Sequence, residues 1–292
     1  MKSTRIFFKN LWQAIQIFID KNMISYAAAL AYYAIFALPP LLLIILTSTK
    51  QLYFWGSSEV YIFDEIQALI GTEATNLLRQ SMQKIATFDG GMWGIVISIA
   101  IIIFSSTSVF AVIQVSFNKI FNVKADPTVW KGIWLYLFRR VISLGLLIGF
   151  AFILVVSLIF NMAIHLFSDY LFGSTLSVAL TDFMGSIVIP GIILTLFFAL
   201  MLRFLPDVKI KFKHVWPGAI FTAVLFMIGK YAIGTYVGNS SFSNAYASAS
   251  SLIVVLLWSY YSSILVLFGC AFLKSHMDRK EISIKPYPYA KQ

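Results

Sequence analysis

A chain of 292 residues that is 60% apolar and only 12% charged, with strongly positive mean hydropathy, lies outside the range of soluble domains and has the composition of a membrane protein. Its single cysteine, Cys270, excludes an internal disulfide framework and any multi-cysteine metal site. The formal charge of +10 does not by itself mean nucleic acid, because membrane proteins also collect Lys and Arg on their cytoplasmic side.

Residues 5–20 carry an apolar stripe at Phe8, Trp12, Ile15 and Ile19, widened by Phe7, Leu11 and Phe18, opposite Lys2, Arg5, Lys9, Asn10, Gln13 and Gln16. That is the pattern of an amphipathic helix, either lying in the membrane interface with its basic face toward anionic headgroups or packed on the cytoplasmic ends of a bundle. No cleavable signal is expected, since the first long apolar run follows this polar, aromatic segment and is itself long enough to span.

A spanning helix needs roughly 20 apolar residues to cross the hydrocarbon. Six segments qualify, near 24–46, 92–115, 141–165, 178–202, 215–236 and 248–273. The second and third are rich in β-branched residues, but in lipid a lone strand leaves its backbone groups unpaired, so helix prevails over propensity. The fold class is therefore all-α, a polytopic membrane protein with six transmembrane helices. Its parts are a cytoplasmic amphipathic helix (1–22), a six-helix membrane domain (23–275) and a cytoplasmic tail (276–292).

The cations fix the orientation. Lys2, Arg5, Lys9 and Lys21 precede the first span; Lys119, Lys124, Lys131, Arg139 and Arg140 follow the second; Arg203, Lys209, Lys211 and Lys213 follow the fourth. Lys274, Arg279, Lys280, Lys285 and Lys291 fill the tail, while Glu59, Asp64, Glu65, Glu73, Asp89, Asp169 and Asp182 gather on the opposite side. Alternate connections are basic, which places both termini in the cytoplasm. The basic stretch RFLPDVKIKFKHVWPG (203–218) is explained by topology, with Pro206 just past one span and Pro217 in the first turn of the next.

Between the first two spans, residues 50–91 carry two weaker amphipathic patterns separated by Gly71 and Thr72, with Thr72 or Thr75 as a cap, and are expected to form an outer helical hairpin. Within the bundle, Pro39 and Pro40 break span one, and Pro190 with Gly191 breaks span four. Paired broken helices point to a transport site, although packing accounts for prolines in membrane helices as well. Gly145 with Gly149 and Gly234 with Gly238 form GxxxG pairs that suit close helix contacts.

Catalytic chemistry finds no footing. His165, His214 and His276 sit at the ends of three spans on both sides of the membrane, and phosphate-loop, dinucleotide and nucleophile-elbow motifs are all missing. The cytoplasmic acids Asp20, Asp126, Asp207, Asp278 and Glu281 are scattered, so neither a catalytic residue, a metal nor a cofactor is assigned. What remains is polar matter inside the bundle. Ser105, Ser106, Thr107 and Ser108 run in succession in span two, with Gln114 and Asn118 toward the cytoplasm; Tyr33 lies in span one, and Tyr260 and Tyr261 in span six. These groups either line a polar cavity or bond helix to helix. Lys230 and Asp182 are the two immersed ionisable residues, each about one turn below the outer surface. They pair across adjacent helices, or Lys230 snorkels and Asp182 caps.

The runs AAALAYYAIFALPPLLLII in span one, FNKIFNV after span two, RFLPD followed by VWPGA, and SLIVVLLWSYYSSILVLFGCAF in span six resemble the YihY/BrkB family of bacterial membrane proteins over nearly the whole chain. The resemblance implies six helices in a bacterial plasma membrane, with labels of ribonuclease BN or serum resistance that carry no agreed mechanism and no catalytic motif. Cys270, followed by Ala271 and Phe272, stands where relatives often have a small residue before an acidic one, so a proton-carrying carboxylate in span six is not implied.

The expected function is a transporter or flippase-like protein for an amphipathic, anionic envelope component. Its pathway would be lined by Lys230, Asp182, Ser105, Ser106, Thr107, Ser108, Tyr33, Tyr260 and Tyr261. The alternatives are a non-transporting scaffold and, third, a membrane-bound ribonuclease, which lacks its carboxylate cluster. Membrane lipids are the expected partners, with homo-oligomer formation left open and no nucleic acid.

Overall fold

The computed structural model describes residues 2–34, 67, 75–76, 79, 96, 108–125, 141, 145, 183–239, 250–288 and 290–291. Of the outer hairpin only Gln67, Thr75, Asn76 and Arg79 are described, each helical, and the hairpin's architecture lies outside the described residues, as do Pro39 and Pro40. The helices are α1 (Lys2–Asp20), α2 (Met23–Ala34), α3 (Ser108–Ile120), α4 (Ile189–Phe204), α5 (Phe212–Asn239) and α6 (Ser250–Arg279). Two stretches, Phe212–Ala232 and Val255–Arg279, are long and apolar enough to cross a bilayer.

Three of these helices end in the same way. Asn22, Asn122 and Glu281 have φ of 54°, 56° and 52°, the left-handed conformation that turns a chain out of a helix. After α3, the Val123 N–H reaches back to the Asn118 carbonyl at 2.8 Å; after α6, the Ile282 N–H reaches Met277 at 3.0 Å. Both bonds satisfy carbonyls the helix end would otherwise orphan. Asn tolerates this conformation because its short side chain bonds locally, and the Ser25 hydroxyl donates to Asn22 Oδ1 at 3.1 Å.

Packing follows a chain of neighbours in which α4 lies on α5, α5 on α6 and α6 on α1. Small residues let α5 and α6 approach closely. A Cβ on Gly218 would fall 2.8 Å from Leu273 Cβ, and one on Gly269 would fall 1.8 Å from Thr222 Oγ1. Of the GxxxG pairs expected from sequence, Gly149 lies outside the described residues, and no described atom lies within 4 Å of a Cβ on Gly145. Aromatic rings fill the same seams: Phe198 meets Phe226 at 5.8 Å, Phe226 meets Trp258 at 5.9 Å, and Phe221 stacks on Phe272 at 4.0 Å. The outward face of α5 shows Trp216, Ile220, Val224, Ile228 and Tyr231, an apolar ridge spaced for one side of a helix.

The basic end is closed by the tail, which the all-α expectation did not include. Strand β1 (Lys124–Ala125) pairs antiparallel with β4 (Ala290–Lys291), and β2 (Val208–Lys209) with β3 (Lys285–Pro286). The tail is thus stitched to the loops that follow α3 and α4. Buried Phe117, Phe121, Val208, Ile210 and Met277 form the core beneath it. Pro217 lies inside α5 rather than in its first turn, because the helix begins at Phe212. Helix α6 likewise continues to Arg279, beyond the span end expected near Leu273.

Candidate functional site

The site's geometry begins with Pro190. Proline has no N–H to give the carbonyl four residues back, and its ring crowds that carbonyl, so the preceding turn widens. Residues Met184–Val188 accordingly form a π-helical turn, in which the Ile189 N–H bonds to the Met184 carbonyl. Gly191 follows, and the Thr195 hydroxyl donates to its carbonyl at 2.7 Å. A Cβ on Gly191 would stand 3.2 Å from Met227 Sδ, so the broken turn of α4 rests on α5 at Met227.

Two residues further along α5, Gly229 opens a gap for α6. A Cβ there would fall 2.0 Å from Tyr261 Oη, so only glycine admits the phenol. Lys230 is the next residue. It is 6% exposed, with Nζ 5.1 Å from the centroid of the Tyr231 ring. The lysine is therefore buried, its ammonium lying against the ring of Tyr231. Next to Tyr261, the Ser262 hydroxyl is buried without a hydrogen-bond partner. The structure so brings Gly191, just past the π-turn, to Met227 and brings Gly229 to Tyr261, with Lys230 the next residue of α5.

Other expected site residues are distributed differently. Asp182, Ser105, Ser106 and Thr107 lie outside the described residues. Ser108 is half-buried in α3, and Tyr260 is partly buried against the hydrophobic core. Tyr33 makes an edge-to-face contact with Tyr32, their rings 5.7 Å apart. Among the described residues no three His, Cys, Asp or Glu side chains are grouped to hold a metal.

A second locus escaped the sequence. Asp207, 2% exposed, accepts the Asn118 amide at 2.6 Å and the Gln114 amide at 2.9 Å on its two carboxylate oxygens. In return the Asp207 N–H donates to Asn118 Oδ1 at 2.8 Å, and the Asp207 carbonyl accepts from the Tyr287 N–H at 3.1 Å. One residue thereby joins the end of α3, the loop after α4 and the tail. Nearby, Lys209 Nζ lies 5.7 Å from the Tyr287 ring centroid. The signal was present in the sequence: Asn118 belongs to FNKIFNV and Asp207 to RFLPD, the two distinctive polar motifs.

Apolar helices with a lipid-suited outer face and polar groups turned inward define a helical integral membrane protein. The chain belongs to the family described as Virulence factor BrkB, whose profile matches residues 14–290. It is 28% identical over 279 residues to a UPF0761 membrane protein of Xanthomonas campestris pv. campestris, covering 93% of this chain and 61% of that protein. A UPF0761 membrane protein of Xanthomonas oryzae pv. oryzae is 28% identical over 272 residues, covering 91% of this chain and 59% of the relative. That of Xanthomonas axonopodis pv. citri is also 28% identical over 272 residues, covering 91% and 60%. The chain thus spans about three fifths of the length of these curated relatives. No solved structure matches it.

Proposed function

We propose that the protein moves the headgroup of an amphipathic, anionic envelope lipid through the bundle, with six spans and both termini in the cytoplasm. The observation that carries this reading is the burial of Lys230 at 6% exposure, next in the chain to Gly229, which admits Tyr261, and three residues from Met227, on which the broken helix rests at Gly191. An ionisable side chain held within apolar helices is costly, and in membrane proteins it marks substrate paths by default. A π-turn next to a proline break supplies the local adjustability that a moving helix needs. The cationic side chain attracts a phosphate, the phenol and serine hydroxyls give it further polar contacts, and the acyl tails remain in lipid.

Proteoliposomes containing the purified full chain and a trace of fluorescent phosphatidylglycerol test the reading, with and without an imposed proton gradient. Dithionite bleaches only the outer leaflet, so translocation drives the residual fluorescence below that of empty vesicles. Equal residual fluorescence at every protein density, with and without the gradient, would reject transport. A second reading, a non-transporting scaffold, draws on the tail strands that hold a fixed basic platform over the bundle end.

A further inference from the structure

Helix α1 has three faces, not two. At about 100° of turn per residue, Asn10, Ala14 and Phe18 lie together, and all three are buried against the bundle. The next face holds Phe8, Trp12, Ile15 and Ile19, of which Phe8 and Trp12 are each 64% exposed and Ile19 62%. The third holds Arg5, Lys9 and Gln16, all exposed. Sequence pattern alone offers interface or bundle packing as alternatives for this helix, whereas the structure gives one face to the bundle and leaves a second apolar face bare.

That bare face cannot rotate inward. The Ser275 hydroxyl donates to the Asn10 carbonyl at 2.9 Å, and Arg279 NH1 donates to the Ile6 carbonyl at 2.9 Å. Phe7 meets Phe272 at 5.9 Å and Phe18 meets Phe268 at 5.8 Å, which fixes both ends of α1 to α6. At its far end α1 turns through Lys21 and Asn22 directly into the apolar helix α2, so the stripe runs on into an apolar segment.

We propose that this face is a docking surface for the anionic lipid leaflet on the basic side of the membrane. Phe8, Trp12, Ile15 and Ile19 sink among acyl chains, and Arg5 and Lys9 bind lipid phosphates. Charge complementarity selects lipid as the occupant: Arg5 and Lys9 border the Phe8 and Trp12 half of the stripe, and an indole at such a border suits the headgroup boundary. Because α1 is bonded to α6, the leaflet grips the end of that helix. The inference is independent of transport and borrows from the proposed function only the name of the leaflet, which is the cytoplasmic one.

The full chain is reconstituted in nanodiscs with brominated acyl chains, and the emission of Trp12 is isolated as the difference between wild type and Trp12→Phe. The expected result is that brominated lipid quenches this emission while aqueous iodide does not. In discs carrying dansyl-labelled lipid, energy transfer from Trp12 reports a preference for phosphatidylglycerol over phosphatidylcholine. That preference falls about fivefold for each cation removed by Arg5→Gln or Lys9→Gln, the equivalent of about 1 kcal/mol. Iodide quenching without bromolipid quenching overturns the proposal, as does cross-linking through position 12 between two copies. An unchanged preference in the charge variants overturns its headgroup half.

Discussion

Asn118 and Asp207 hold each other in both directions: the Asn118 amide donates to the carboxylate at 2.6 Å, and its carbonyl oxygen accepts the Asp207 N–H at 2.8 Å. Charge-assisted hydrogen bonds contribute about 1.5–3 kcal/mol each, and removing one partner leaves the other desolvated. Asp207→Ala strands two amides and is expected to cost about 3 kcal/mol or more. A double-mutant cycle with Asn118→Ala, followed by thermal unfolding in detergent, is expected to give a coupling of about 1–3 kcal/mol. Additive losses would mean that the pair does not act as a unit.

The helical character of the chain was legible in the sequence because apolar length is a one-dimensional signal. The helices around Lys230 follow from it, and the break at Pro190 from the proline itself. The pairing of Asn118 with Asp207 was only half legible: both stand in distinctive motifs, but nothing in spacing brings Asn118 to a residue 89 positions later. The tail strands were not legible, because strands of two residues carry no periodicity and Pro286 argues against a strand. Close contact at Gly229 was equally hidden, for a glycine in an apolar helix has no sequence mark that names its partner across the seam.

The seam between α5 and α6 is expected to be intolerant at Gly229. Alanine there would place a Cβ 2.0 Å from Tyr261 Oη and 2.4 Å from its ring. Overpacking of this kind costs about 1–3 kcal/mol. Tyr261→Leu, which withdraws the ring, is expected to recover part of the loss in the double variant. Unfolding in detergent measures both, and an unaltered Gly229→Ala midpoint would contradict the packing described.

Glu281 adopts φ of 52° at the end of α6, where glycine carries no steric penalty. Glu281→Gly is expected to stabilise the protein by up to about 1 kcal/mol, read as a raised unfolding midpoint. A lowered midpoint would show that the glutamate contributes more than its backbone costs.

Attachment of α1 to α6 depends on Arg279, whose guanidinium donates to the Ile6 carbonyl, and on the Phe7 to Phe272 contact. Arg279→Met with Phe7→Ala is expected to raise hydrogen exchange across residues 2–20 while α5 keeps its protection. Unchanged exchange in α1 would place its anchorage elsewhere.

The most direct test of the transport account is the lipid-translocation rate of Lys230 variants in proteoliposomes containing fluorescent phosphatidylglycerol. Lys230→Met keeps length and apolarity but removes the cation, and loss of a charge-assisted contact in the moving complex is expected to slow translocation about tenfold or more. Lys230→Arg is expected to retain most of the rate. A Lys230→Met protein that moves the lipid as fast as wild type would contradict the role assigned to this buried lysine.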